Sequence, residues 1–221
     1  MLEEERVDSR NIISDYIFYS KYSRVKEDGT KESWEESISR VMQMHWSFFE
    51  NKITEEKREA FLKVFNTAWS AYENRLILGS QRALQYGGEQ LLKNHLRLYN
   101  CTSSYLNRVA FFEECMESLL SGEGTGYSVQ KVHTEQLPVM KGVDSSKKVV
   151  FEIPDSIEGW ARSVGMLIEH YYYNLPVIEF DYSQIRPEGS FISGGFKAPG
   201  PEPLKVCHSK IKTILDKVNN R

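Results

Sequence analysis

The chain has 221 residues, enough for one good-sized core that buries roughly 70% of the unfolded surface. Its 28 Lys+Arg against 31 Asp+Glu give a formal net charge of -3, which excludes the basic footprint of a general nucleic-acid binder. No apolar run approaches the roughly 20 residues of a membrane span, and the charged opening Met1-Leu2-Glu3-Glu4-Glu5-Arg6 has no signal-peptide core, so the expectation is a cytoplasmic protein without a membrane partner.

Residues 1–32 read as a polar arm with an aromatic cluster at Tyr16, Phe18, Tyr19 and Tyr22, and Glu27-Asp28-Gly29-Thr30 as a turn. Ser33 and Glu36 have capping-box spacing ahead of a helix whose apolar stripe runs Trp34, Ile38, Val41, Met42, His45 and Phe49. On that stripe His45 is a packed side chain before it is a ligand. Thr54 is placed to cap a second helix with Phe61, Phe65, Ala68, Trp69 and Tyr72 inside, and the two helices form an antiparallel pair.

A polar loop, Gly79-Ser80-Gln81-Arg82 to Gly87-Gly88, leads to a strand over Leu98 to Tyr105 in which Leu98, Asn100, Thr102 and Ser104 alternate with Tyr99, Cys101, Ser103 and Tyr105. Phe111, Phe112, Cys115, Met116, Leu119 and Leu120 mark a helix, followed by the turn Gly122-Glu123-Gly124-Thr125-Gly126 and a strand over Tyr127 to Val132. After a polar link at Gly142 to Lys148 come a strand at Val149 to Ile153 and a helix, capped by Asp155 with Glu158, that carries Trp160, Val164, Leu167, Ile168 and Tyr171. A strand at Val177 to Tyr182, an irregular Gly/Pro-rich loop from Arg186 to Pro201, and a last helix with Leu204, Cys207, Ile211, Ile214, Leu215 and Val218 complete the chain. Helices interleaved with short strands predict an α/β fold of strand–helix–strand units.

The three cysteines fit no metal-ligand spacing. Cys115 and Cys207 sit on apolar helix stripes and read as small core residues. Cys101 differs, because Asn100, Thr102 and Ser103 surround it, and polar neighbours favour thiolate formation and exchange; a buried strand cysteine is the competing reading. The Gly-x-Gly-x-Gly turn would let backbone amides approach a phosphate or ribose, although tight packing explains such a turn equally well. It follows a helix and enters a strand, the reverse of the dinucleotide fingerprint, so it does not support a Rossmann assignment.

A set of ordered motifs goes further. Tyr22-Ser23-Arg24, Leu78-Gly79-Ser80-Gln81-Arg82-Ala83-Leu84-Gln85, Gly87-Gly88-Glu89, Arg97-Leu98-Tyr99-Asn100-Cys101, Leu119 through Gln130, Gln136-Leu137-Pro138, Pro154 through Trp160, Ile185 through Gly189 and Gly200 through Leu204 span nearly the whole chain. In that order the sequence resembles the N-terminal part of a monomeric, class II, adenosylcobalamin-dependent ribonucleoside-triphosphate reductase. The resemblance implies an N-terminal helical region over 1–75, then over 76–221 the first part of a ten-stranded α/β barrel, with a short link near 139–153. It implies that Cys101 is one thiol of a redox pair, and that Ser80, Asn100, Cys101 and the turn glycines Gly122, Gly124 and Gly126 contact the substrate. It places the Arg186–Pro201 loop near the effector and substrate region.

The implied ligands are a ribonucleoside triphosphate, a deoxynucleotide effector and adenosylcobalamin. The implied macromolecular partners are a thioredoxin-type reductant and a complementary C-terminal reductase fragment. The radical cysteine, the second redox cysteine and the cobalamin-binding region have no counterpart here, so the expectation is a portion that is inactive without its complement. A non-catalytic nucleotide-binding or reductase-docking module is the alternative, and a helical interaction protein the third reading. Ser121 and Glu123 depart from the small residues of relatives, and Glu123 would disfavour an anion unless it points away.

Overall fold

The computed structural model describes residues 9–26, 28–192 and 196–219. The chain divides into two compact units with the boundary at Leu98/Tyr99.

The first unit is helical: α1 (Ser9–Lys21), α2 (Trp34–Phe49), α3 (Glu55–Glu73), α4 (Gln81–Tyr86) and α5 (Glu89–Lys93). The capping box forms at the start of α2, where Ser33 Oγ accepts from the Glu36 amide and the Glu36 carboxylate from the Ser33 amide. Thr54 precedes α3 but makes no side-chain cap, its carbonyl instead accepting from the Lys57 amide. The core gathers Phe18 of α1, Trp34, Ile38, Val41, Met42 and Met44 of α2, Tyr72 of α3, and Ala83, Leu84 and Leu91. Phe18–Trp34 and Trp34–Tyr72 meet edge-on at 5.3 and 5.8 Å, the arrangement that aromatic quadrupoles favour. Contrary to the expected stripe, Phe49 is exposed and Met44 takes the inner position. Arg40 pairs with Glu32 at 2.6 Å and donates to the carbonyls of Leu84 and Gly87, tying α2 to the end of α4.

The second unit holds two strand–helix–strand units. The first is β1 (Cys101–Tyr105), α6 (Phe111–Leu120) and β2 (Gly124–Ser128). After the short helix α7 (Lys131–Thr134), the second is β3 (Asp144–Glu152), α8 (Ile157–Tyr173) and β4 (Pro176–Asp181). Both strand pairs are parallel, as a helical crossover requires. Helices α6 and α8 pack side by side, with Arg162 bridging Glu113 at 2.7 Å and Glu169 at 3.1 Å. Gly165 sets their approach, since a Cβ there would lie 2.8 Å from that of Glu113. Helix α9 (Glu202–Asn219) packs on α8, and Val164, Leu167, Ile168, Tyr171, Leu204 and Leu215 share the core with Val109, Ile153 and Ile185.

Several boundaries differ from the sequence reading. The first strand begins at Cys101 because His95–Leu98 is a 3-10 turn. Strand β3 begins at Asp144, not Val149, its polar half still pairing with β4 across an irregularity. The α8 cap is Ser156, whose hydroxyl accepts from Gly159, while Asp155 is held by Arg186 at 2.5 Å. The Arg186–Pro201 segment contains a small antiparallel hairpin, β5 (Phe191–Ile192) with β6 (Phe196–Lys197); Gly194 and Gly195 lie outside the described residues. Ile214 and Val218 of α9 are exposed.

Candidate functional site

The β1–β2 ribbon carries most of the candidate residues. Cys101 pairs with Gly124, Ser103 with Gly126 and Tyr105 with Ser128, and the ladder is extended by the Gly124 amide donating to Asn100 O at 2.9 Å. Partners in register share a face and neighbours along a strand alternate. One face therefore shows Cys101, Ser103, Tyr105, Gly124, Gly126 and Ser128; Thr102, Ser104, Thr125 and Tyr127 lie on the other. Helix α6 covers that second face, where the Phe111 and Tyr127 rings meet at 4.9 Å. Cys101 is exposed on the uncovered face.

The three glycines have two different jobs. Gly122, at φ +92, ends α6: its amide donates to Leu119 O and the following Glu123 amide to Ser118 O, the paired bonds of a Schellman cap. Gly124 and Gly126 belong to β2 itself, which corrects the expectation of a turn followed by a strand at Tyr127. A Cβ at 124 would meet nothing closer than 3.8 Å and one at 126 only Thr102 O at 3.8 Å, so both positions leave bare backbone beside Cys101. Glu123 is 5% exposed, whereas Gly124 after it is exposed. Glu123 is therefore buried beside the exposed face, not displayed on it.

Ser80 belongs to the first unit, at the N-cap of α4, where its carbonyl accepts from the Ala83 amide and its hydroxyl makes no cap. Cys115 and Cys207 are half-buried, and burial pushes both thiols up, opposite to what a reactive thiol needs. Missed in the sequence was the cluster at the end of the cysteine face: the Tyr105 and His133 rings lie 4.4 Å apart and His133 Nδ1 is 2.9 Å from Ser128 Oγ. The signal was available in the strand alternation, which puts Tyr105 on the same face as Cys101 and Ser103.

A concavity of about 340 Å³ lined by Glu152, Pro154, Asp155 and Gln184 is acidic and too small for a cofactor with a phosphate-linked nucleotide. His208 has both ring nitrogens engaged, by Ser163 and Tyr182, and His170 is bonded to Pro176 O. Among the described residues no group of three His, Cys, Asp or Glu could hold a metal ion, and no helix is long and apolar enough to cross a membrane.

The fold resembles part of a class II ribonucleotide reductase: the crystal structure of a B12-dependent enzyme of that class superposes with a TM-score of 0.77 over 93% of this chain and 36% of its own, at 20% identity. The chain is similar to part of the adenosylcobalamin-dependent ribonucleoside-triphosphate reductases. It is 27% identical to a probable enzyme of that name from Dictyostelium discoideum, over 93% of this chain and 31% of the relative. It is 26% identical to the one from Euglena gracilis, over 93% and 30%, and 26% identical to a putative one from Mycobacterium phage D29, over 91% and 32%. The chain therefore spans about a third of the length of the curated relatives it matches. No protein-family model matches it.

Proposed function

We propose that this chain supplies the N-terminal wall of an adenosylcobalamin-dependent ribonucleoside-triphosphate reductase, with Cys101 as one thiol of the pair that reduces the ribose. The observation that carries this is the exposed Cys101 in register with Gly124 on the uncovered face of a parallel ribbon. Backbone without Cβ admits a sugar at van der Waals distance from the thiol. In the net chemistry two thiols become a disulfide, releasing two electrons and two protons, and the ribose 2′-oxygen leaves as water. The cofactor of the homologous enzymes would initiate radical chemistry when bound, and this chain's part is the thiol and the nucleotide face.

Cys115 and Cys207 are half-buried on helices, so the second thiol belongs to further polypeptide, as does the rest of the site. In this reading β1–β2 and β3–β4 are the opening strands of a ten-stranded barrel, and their free edges pair with later strands. Asn100, next to Cys101, contacts the ribonucleoside triphosphate. A thioredoxin-type protein re-reduces the disulfide.

The test is complementation. The chain is joined by, or mixed with, the remaining reductase sequence, and cobalamin-dependent conversion of a ribonucleoside triphosphate is measured with and without Cys101→Ser. Conversion that requires Cys101 supports the proposal; conversion surviving its loss refutes the redox role. Nucleotide binding without conversion would make the chain a non-catalytic binding module.

A further inference from the structure

Beyond the thiol and the glycines, the cysteine face ends in an aromatic that nothing so far explains. Tyr105 is 53% exposed, although it stands on a strand whose opposite face is covered by a helix. It is held from one side: the His133 ring lies 4.4 Å away at 48°, and His133 Nδ1 is 2.9 Å from Ser128 Oγ, which also accepts from the Gln130 amide. The Leu106 amide donates to Ser128 O at 3.0 Å, so the ladder stays closed under the ring. The ring is thus oriented on one side and open on the other.

From this placement we infer that Tyr105, backed by His133, is a stacking platform for the nucleobase of the ligand whose ribose lies over Gly124 and Gly126. The inference rests on reading the Cys101 face as the nucleotide face. Cys101 and Tyr105 are four residues apart, about 13 Å along the strand; Gly124 lies beside Cys101, and only Ser103 and Gly126 lie between them on that face. That is room for a sugar beside the thiol and a base beside the ring. Stacking accepts every base, because each offers a π-face, so the platform adds affinity without choosing among bases.

The experiment is disulfide tethering on the full chain. Cys101 is the exposed thiol of the three, and its thiolate exchanges with the mixed disulfide of mercaptoethanol and an adenosine bearing a 2′-thiol, forming the protein–nucleoside disulfide and releasing mercaptoethanol. The reference is the same thiol-bearing sugar with hydrogen in place of the base. The nucleoside should stay attached at mercaptoethanol concentrations about 10-fold higher than the abasic sugar. Tyr105→Phe should keep that advantage and Tyr105→Leu should lose it. In the wild-type conjugate the adenine ring current should move the Tyr105 ring protons upfield. Equal retention of nucleoside and abasic sugar in the wild type, with unmoved Tyr105 protons, overturns the platform. An advantage undiminished in Tyr105→Leu overturns it as well. Cys101 serves here only as an attachment point, so these outcomes are separate from the turnover test of its redox role.

Discussion

Cys101 and Gly124 face each other across the β1–β2 ladder, with the cysteine Cβ 3.9 Å from where a Cβ of residue 124 would stand. That contact is of ordinary van der Waals length, so the bare position is spare room, not a packing requirement. Gly124→Leu is therefore expected to leave the melting temperature nearly unchanged while covering the backbone beside the thiol. Nucleotide affinity in the complemented reductase, read by calorimetry, should fall at least about 10-fold; unchanged affinity would show that the ligand lies elsewhere.

Gly122 should behave in the opposite way. Its φ of +92 is required by the Schellman cap of α6, and a side chain there is strained whatever the space. Gly122→Ala is expected to destabilise the chain by roughly 1 kcal/mol or more in urea denaturation. Nucleotide affinity of the folded variant should be unchanged.

The α6–α8 contact offers a test of the fold itself. A Cβ at 165 would come within 2.8 Å of the Glu113 Cβ, so Gly165→Ala must push the helices apart and disturb the Arg162–Glu113 pair. Overpacking of this kind costs roughly 1–3 kcal/mol. A variant as stable as the wild type would contradict the close helix approach.

His208 makes stability depend on pH. The ring is buried and stacked on Phe180, Tyr182 and Ser163 occupy its nitrogens, and burial lowers its pKa to about 4. Ser163 Oγ donates to Trp160 O at 2.7 Å, which leaves it an acceptor for Nε2–H and Tyr182 the donor to Nδ1. The unfolded chain, with an ordinary histidine near 6.5, binds the proton more readily. This contribution is accordingly complete above about pH 6.5, declines as pH falls, and is gone below about 4, amounting to on the order of 2–3 kcal/mol. Urea denaturation at pH 7 and pH 5 should show the decline in the wild type and a flatter profile in His208→Gln.

How much of this was legible in the sequence depended on how local each interaction is. The Ser33–Glu36 box was readable because both partners lie within one turn. The cap at Asp155 was misplaced because Arg186, 31 residues later, claims the carboxylate, and Ser156 takes over the amide. Gly124 and Gly126 read as a turn because glycine is depleted in strands, and pairing with Cys101 and Ser103 overrides that preference. Cys101 stood out by its polar flanks, but its proposed partnership with a second thiol came only from the family resemblance.

The most direct test of the central claim is the fate of Cys101 during a single turnover. The complemented reductase is given one equivalent of ribonucleoside triphosphate without external reductant, quenched in acid, alkylated and mapped by mass spectrometry. Cys101 should become resistant to alkylation until a disulfide reductant is added, in proportion to the deoxyribonucleotide formed, while Cys115 and Cys207 remain alkylatable once unfolded. Stoichiometric product with Cys101 still fully alkylated would contradict it.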